Sequence, residues 1–317
     1  MSMRNYRLPL ALAIVLACLQ IAASEARAEV KVVVTSKPIH SLVAGVMQGV
    51  GTPGLLIDGN ASPHTYAMKP SDARALNAAD VVFRVSEQLE PFTAKAFKSL
   101  PAKIRTVSLA DTPGLKLLTK REGGPFEAHS HGKGHHHGHS HSKAKGPAND
   151  PHVWLDPTNA KAIARHIADV LSKASPADAA KLKANADALA QRLDNLDAEL
   201  ERDLKPIAGK PFVVFHDSLQ YLEARYGLSA VGAITVSPEE QPSAKRISDL
   251  RKKITGLSAV CVLSEPQFPG KLVASVTEGS KARTEVVDPE GGTFRGGPEL
   301  YFELMRKAAK SLKACLG

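Results

Sequence analysis

Short runs of consecutive apolar residues alternate along the chain with longer stretches in which apolar positions recur every three or four. Val32-Val33-Val34-Thr35 is a β-branched run, and a helical pattern follows from Ile39 to Val50. Ser71-Asp72 offers a helix N-cap ahead of the apolar run Val81-Val82-Phe83-Arg84-Val85. Later come a strand at Phe212–Phe215, a helix at Ser218–Tyr226, and two more strands at Ala259–Leu263 and Glu285-Val286-Val287. Brief apolar strands separated by helices predict an α/β fold: parallel sheets flanked by helices. The two ends also echo each other. Ser71-Asp72-x-Arg74 runs through a helix into a strand ending Ser86-Glu87, and Ser248-Asp249-x-Arg251 runs likewise to Ser264-Glu265. Two similar lobes would explain the echo.

Between the halves, Ser175-Pro176-Ala177-Asp178 starts a helix with Pro at its first position. No Gly or Pro follows until Lys205-Pro206, and Leu182, Leu189, Leu193, Leu196 and Leu200 keep helical spacing. At 1.5 Å per residue the helix would be about 45 Å long, a stiff rod that could join two lobes. The predicted layout is therefore a leader at 1–28, a first α/β lobe at 29–174, a linker helix at 175–205 and a second α/β lobe at 206–317.

The leader rests on Arg4 and Arg7, an uninterrupted apolar run from Leu10 to Leu19, and Ala26-Arg27-Ala28 as a small-x-small cleavage site. This is the order of a secretory signal peptide, and the run is too short for a membrane anchor. Val15-Leu16-Ala17-Cys18 loosely matches an acylation site, which leaves lipid attachment at Cys18 as the alternative. The expected location is periplasmic. The chain holds 41 Lys and Arg against 32 Asp and Glu, and removing the leader takes Arg4, Arg7, Arg27 and Glu25 with it. The modest positive excess that remains contains no basic cluster interleaved with aromatics, which argues against nucleic acid as a partner. Of three cysteines, Cys261 and Cys315 lie beyond the leader. An even pair in an oxidising compartment reads as a disulfide, with two buried free thiols as the alternative.

A different composition fills the stretch at about 121–149. Seven of the thirteen residues from His129 to His141 are histidine, namely His129, His131, His135, His136, His137, His139 and His141. Such a tract builds no core and predicts a mobile loop with several weak, interchangeable metal sites. Three other histidines stand at strand ends or stiffened turns. His64 lies in Asn60-Ala61-Ser62-Pro63-His64-Thr65-Tyr66, His152 is bracketed by Pro151 and Pro157, and His216 directly follows the Phe212–Phe215 strand. Asp288 similarly follows Glu285-Val286-Val287. In open α/β sheets, ligands collect beyond the carboxyl ends of strands, so these four are the candidates for one metal site in one cleft.

At these residues the chain resembles the ZnuA-like zinc-binding proteins of the metal-specific solute-binding family (cluster A-I, or class III). The likeness rests on Ser62-Pro63-His64-x-Tyr66 with Pro70-Ser71-Asp72, Asp150-Pro151-His152-Val153-Trp154-Leu155-Asp156-Pro157, Phe215-His216-Asp217, Ser264-Glu265-Pro266-Gln267-Phe268, and Asp288-Pro289. It implies two α/β lobes joined by a long helix, with Zn²⁺ held in the cleft by His64, His152, His216 and Asp288. It also implies delivery of the ion to the membrane permease of an ABC-type zinc importer, by a monomer that catalyses nothing. Histidine at 216, where manganese-type members carry Glu, favours Zn²⁺ over a harder ion. Pro63 stands where some zinc members have an acidic residue, so Asp288, a water or a loop histidine could be the fourth ligand. A secreted zinc hydrolase is the competing class, but there is no His-Glu-x-x-His segment to supply its base. A periplasmic metal buffer acting through the histidine tract is the third.

Overall fold

A computed structural model describes residues 29–121, 126, 148–235, 242–256 and 261–317. The expected leader at 1–28 and the seven tract histidines lie outside the described residues.

The first lobe is built on β1 (Val32–Val34), β2 (Gly54–Leu55), β3 (Val81–Arg84) and β4 (Arg105–Ser108), all parallel in the order β2-β1-β3-β4. Helices α1 (Lys37–Val46), α2 (Pro70–Ala78) and α3 (Thr93–Ser99) belong to it. Two long helices follow, α4 (Pro157–Ala174) and α5 (Ala179–Leu204). The second lobe carries β5 (Pro211–Val214), β6 (Ser229–Ala233), β7 (Cys261–Ser264) and β8 (Arg283–Val286), again all parallel, in the order β6-β5-β7-β8. Its helices are α6 (Gln220–Tyr226), α7 (Ala244–Gly256), α8 (Lys271–Thr277) and α9 (Leu300–Leu316). Each lobe therefore repeats one strand order. The echoed segments, α2 into β3 and α7 into β7, occupy the same place in both.

Strand alternation divides each sheet between two cores. Val32, Val34, Val81 and Phe83 face a core that runs continuously through both lobes, while Val33 and Val82 face a separate cluster with Leu56, Leu76 and Ile104. Val213, Phe215 and Val262 do the same on the far side of the second lobe. Parallel strands covered on both faces read as unbroken apolar runs, which is why the central strands stood out in the sequence. The edge strands β2, β4 and β6 did not, because each is short or partly exposed and has no such run.

The long helix buries Leu182, Ala186, Leu189, Leu193, Leu196 and Leu200 along one face and packs against α4, against α1 of the first lobe and against α9 of the second. It meets α1 where Gly45 lets the two approach, since a Cβ there would lie 3.2 Å from a Leu189 methyl. Several boundaries differ from the sequence reading. α1 begins at Lys37 rather than Ile39 and ends at Val46, and a left-handed Gly49 (φ +71°) follows. α2 begins at Pro70, because proline fits the first helical position and moves the cap from Ser71 to Lys69. α6 starts at Gln220. Among the described residues no helix is long and apolar enough to cross a membrane.

Cys261 of β7 and Cys315 of α9 form the expected disulfide, with Cα atoms 5.5 Å apart. It closes a loop across 54 positions of sequence. In the chain-entropy description such a link is worth about 4 kcal/mol. The double replacement Cys261→Ala with Cys315→Ala should lower unfolding stability by about that much, read from urea titrations of both proteins.

Candidate metal site

Three histidines from three separate segments meet at one point. The Nε2 atoms of His64 and His152 are 3.3 Å apart, and those of His216 and His152 are also 3.3 Å apart. The candidate ligand atoms of all three lie within 4.8 Å of one another. His64 comes from the first-lobe loop between β2 and α2. His152 opens the turn Val153–Leu155 that leads into α4, and His216 stands just past β5.

Each imidazole is aimed by its own surroundings. One oxygen of Asp150, two residues upstream, accepts both the backbone N–H of His152 (2.9 Å) and its Nδ1–H (2.7 Å). The Trp154 ring packs edge-on against His152, with its Nε1–H donating to the carbonyl of Pro289 at 3.0 Å. Glu265 does for His216 what Asp150 does for His152. Its carboxylate lies 2.7 and 2.8 Å from Nδ1 and accepts the backbone N–H at 3.2 Å. With strand order β6-β5-β7-β8, the ends of β5 and β7 flank the point where chain direction reverses, the usual ligand crevice of an open sheet. His216 and Glu265 sit there. At the matching place in the first lobe, Glu90 accepts from the Thr35 hydroxyl and from the Ser86 N–H (2.9 Å), so the corner is filled by structure alone. Burial pushes Glu90 up to about 7.

The chain beyond His64 is pinned as well. Asp72, at the third position of α2, accepts the Tyr66 hydroxyl (2.8 Å) and the Lys69 N–H (2.7 Å). On the other side of the site, Arg121 forks onto Asp217 and Glu223, and the Tyr221 hydroxyl donates to the carbonyl of Asp150 at 3.0 Å while accepting the Leu118 N–H. These contacts tie the residues flanking His152 to those flanking His216.

Because carboxylates take the Nδ1–H of His152 and His216, both rings turn an Nε2 lone pair toward the common centre. Lone pairs held 3.3 Å apart repel unless a proton or a metal cation lies between them. The titration directions agree. Burial, then the charges His152 and His216 would carry, holds His64 well below the usual imidazole range, and burial with His216 does the same to His152. His216 is raised. Burial pulls it down, but the charge and hydrogen bond of Glu265, with Asp217 and Asp150, outweigh that. Burial pushes Asp150 up to about 7, against the His152 backbone N–H that stabilises its anion. For this pair we take one shared proton, residing on Nδ1, since the same carboxylate oxygen also receives the backbone N–H.

Asp288 is not brought to the group. Oδ1 accepts Gln267 Nε2 (2.8 Å) and the Gly291 N–H (2.9 Å), while Oδ2 accepts the Thr293 N–H (2.9 Å) and hydroxyl (2.7 Å). Its four lone-pair directions are thus engaged by its own loop and by the loop of Gln267. His40 contacts Pro53 and His166 lies in α4, and neither joins the three grouped histidines. The sequence reading quoted Asp150 and Glu265 in their motifs and Asp72 at a helix start, but not the contacts by which they hold the site. Asp150 stands in the same short block as the His152 it braces, whereas Glu265 lies 49 positions from His216.

Two α/β lobes of one topology, with histidine nitrogens from both meeting at a buried centre between them, define a two-lobed protein of the metal-specific solute-binding type. The chain belongs to the ZnuA family, whose model (zinc-uptake complex component A, periplasmic) matches residues 32–315. It is 48% identical over 304 residues to the high-affinity zinc uptake system protein ZnuA of Brucella abortus (strain 2308), covering 90% of this chain and 91% of that one. The protein of the same name from Paracoccus denitrificans (strain Pd 1222) is 39% identical over 314 residues, covering 95% and 96%. The fold matches a crystal structure of ZnuA at a TM-score of 0.75 and 24% identity, over 91% of this chain and 100% of that one. It matches the periplasmic zinc binding protein TroA from Treponema pallidum equally well, at 0.75 and 20%, over 91% and 99%.

The raised titration of His216 depends on a charge that Glu265→Gln removes. In that variant only burial and the more distant acids act on His216, and its imidazole NMR midpoint should move down, toward or below the ordinary 6.5. An unmoved midpoint would show that Glu265 does not govern the ring.

Proposed function

We propose that this protein is the zinc-capturing subunit of an ABC-type importer: it binds one Zn²⁺ between its lobes in the periplasm and passes it to the membrane permease. The observation that carries this is the spacing of the three nitrogens. A tetrahedral zinc with Zn–N bonds of ~2.0–2.1 Å requires ligand atoms ~3.3–3.4 Å apart. His64, His152 and His216 already stand at that separation across two of the three edges. Neutral imidazoles suit Zn²⁺ better than harder ions, and the carboxylates behind two of them raise their basicity. Membership of a zinc-uptake family at nearly full length supports the cargo, the compartment and the permease as partner.

The ion is cargo, and the protein performs no reaction on it. The buried acids nearest the centre brace the histidines, as Asp150 and Glu265 do, or shape a loop, as Asp288 does. Export through a cleaved leader at 1–28, action as a monomer and auxiliary weak binding by the histidine tract complete the reading. The fourth place on zinc falls to a water or to Asp288, and the four hydrogen bonds Asp288 already accepts favour water. Asp288→Ala separates the two. Loss of a ligand would weaken zinc as much as His216→Ala does, whereas loss of a loop tie leaves one-to-one binding with a smaller drop.

Isothermal titration should show one tight zinc per chain, and His216→Ala should weaken it by more than about 100-fold, beyond the cost of an outer-shell change. Titration of the native protein to the same weak affinity as the variant would defeat the assignment. Protons compete with the metal. His64 and His152 are depressed and stay neutral to well below pH 6.5, so the first competing proton is the one on the raised His216. Zinc affinity should therefore begin to fall above pH 6.5, losing about tenfold per pH unit for a single released proton, and should steepen only at lower pH. Affinity constant from pH 8 to pH 5 would exclude a histidine-built site.

A further inference from the structure

His64 sits on the most exposed of the three ligand-bearing segments, and that segment is fastened to the opposite lobe. Asn60 Nδ2 donates to the carbonyl of Pro266 at 2.6 Å, one residue beyond the Glu265 that braces His216. Ser62 Oγ donates to Glu290 Oε1 at 3.2 Å. Gly292 closes against the same segment, since a Cβ there would lie 2.5 Å from Asn60 Oδ1 and 3.0 Å from its Cα.

Lys37 is the residue that holds both sides of this seam. Its Nζ donates to the carbonyls of Gly292 (2.9 Å) and Phe294 (2.8 Å) in the second lobe and lies 3.5 Å from Asp58 Oδ1 in the His64 loop. The two carbonyls take two of the three N–H groups of the ammonium, and the exposed Asp58 carboxylate is a looser ion-pair partner. The side chain is only 5% exposed, and it stands in the first turn of α1. The positive end of a helix dipole disfavours a cation there, so nothing in its own helix calls for a lysine. What offsets burying this charge is the loop of the other lobe.

We propose that Lys37 is a positioning residue for the metal site. It clamps the Asp288–Phe294 loop to the segment bearing His64 and so sets how slowly a bound ion escapes. This rests on the three-histidine zinc reading. Zinc can leave only when His64 parts from the histidines anchored on the other two segments, and the seam is the direct tie between the His64 loop and the second lobe. Removing the clamp should change release and leave the ligand set intact.

The test is stopped-flow transfer of zinc from the full chain to a chromophoric chelator, in native protein, Lys37→Met and Asn60→Ala. Co²⁺ absorption serves as a check on the ligand set. Lys37→Met should bind one metal with the native tetrahedral Co²⁺ spectrum but release zinc at least about tenfold faster, as loss of a buried charged tie across an interface does. Asn60→Ala, an exposed loop change that leaves both cores untouched, should shift release in the same direction by a few-fold. Release within about twofold of native in both variants overturns the proposal. So does a lowered melting temperature of the zinc-free Lys37→Met chain with unchanged release, the signature of a merely structural lysine. If Lys37→Met fails to fold, Asn60→Ala alone decides. Failure of the native chain to take up one zinc is a separate result, and it would strike down the zinc reading itself.

Discussion

The architecture depends on keeping three imidazole lone pairs aimed at one point from three remote stretches of chain. Left to themselves, nitrogens 3.3 Å apart would turn away from one another. Asp150 and Glu265 prevent this for two of the rings by taking the proton on the far nitrogen, which fixes both tautomer and direction. The repulsion that remains is what a divalent cation would relieve on entering. Affinity in such a site comes from work already done in folding, because the buried carboxylates are in place and the ring rotamers locked before the ion arrives.

The two lobes share a strand order but use their central corners differently. In the second lobe the corner between β5 and β7 presents His216 with Glu265 behind it. In the first, the equivalent corner is sealed by Glu90, Thr35 and Ser86, and that lobe's nitrogens come instead from a loop and from the turn ahead of α4. A centre built from unlike parts of two like halves is complete only while the halves are apposed. The cross-lobe bonds of Lys37, Asn60, Ser62, Trp154 and Tyr221 therefore belong to the site as much as the three histidines do.

Much of this was legible in the chain. Central strands buried on both faces announce themselves as apolar runs, and the leucine spacing of α5 marked a long helix with one buried face. The three histidines stood out because each falls at a strand end or beside a proline. Edge strands such as β2 and β6 were silent, since a strand with few buried side chains has little pattern to show. The start of α2 was placed one residue late because Ser71 was read as the cap, whereas Pro70 is the first helical residue. The bracing role of Glu265 was hidden for a deeper reason. A bracing carboxylate is recognised by what it faces, and Glu265 faces a residue 49 positions away in sequence. Asp288 shows the converse. Its position suggested a ligand, but the three residues that give it four hydrogen bonds lie in its own and a neighbouring loop, which no spacing rule reveals.

The rod α5 touches a helix of each lobe and shares a single continuous core with both. A jaw-like gape would tear that core open, so the affordable motions are small rockings of one half about the spine of the other. Outline alone then says little about whether the molecule is laden or empty. A membrane partner that must take only laden copies has to sense the set and stiffness of the few loops around the rim.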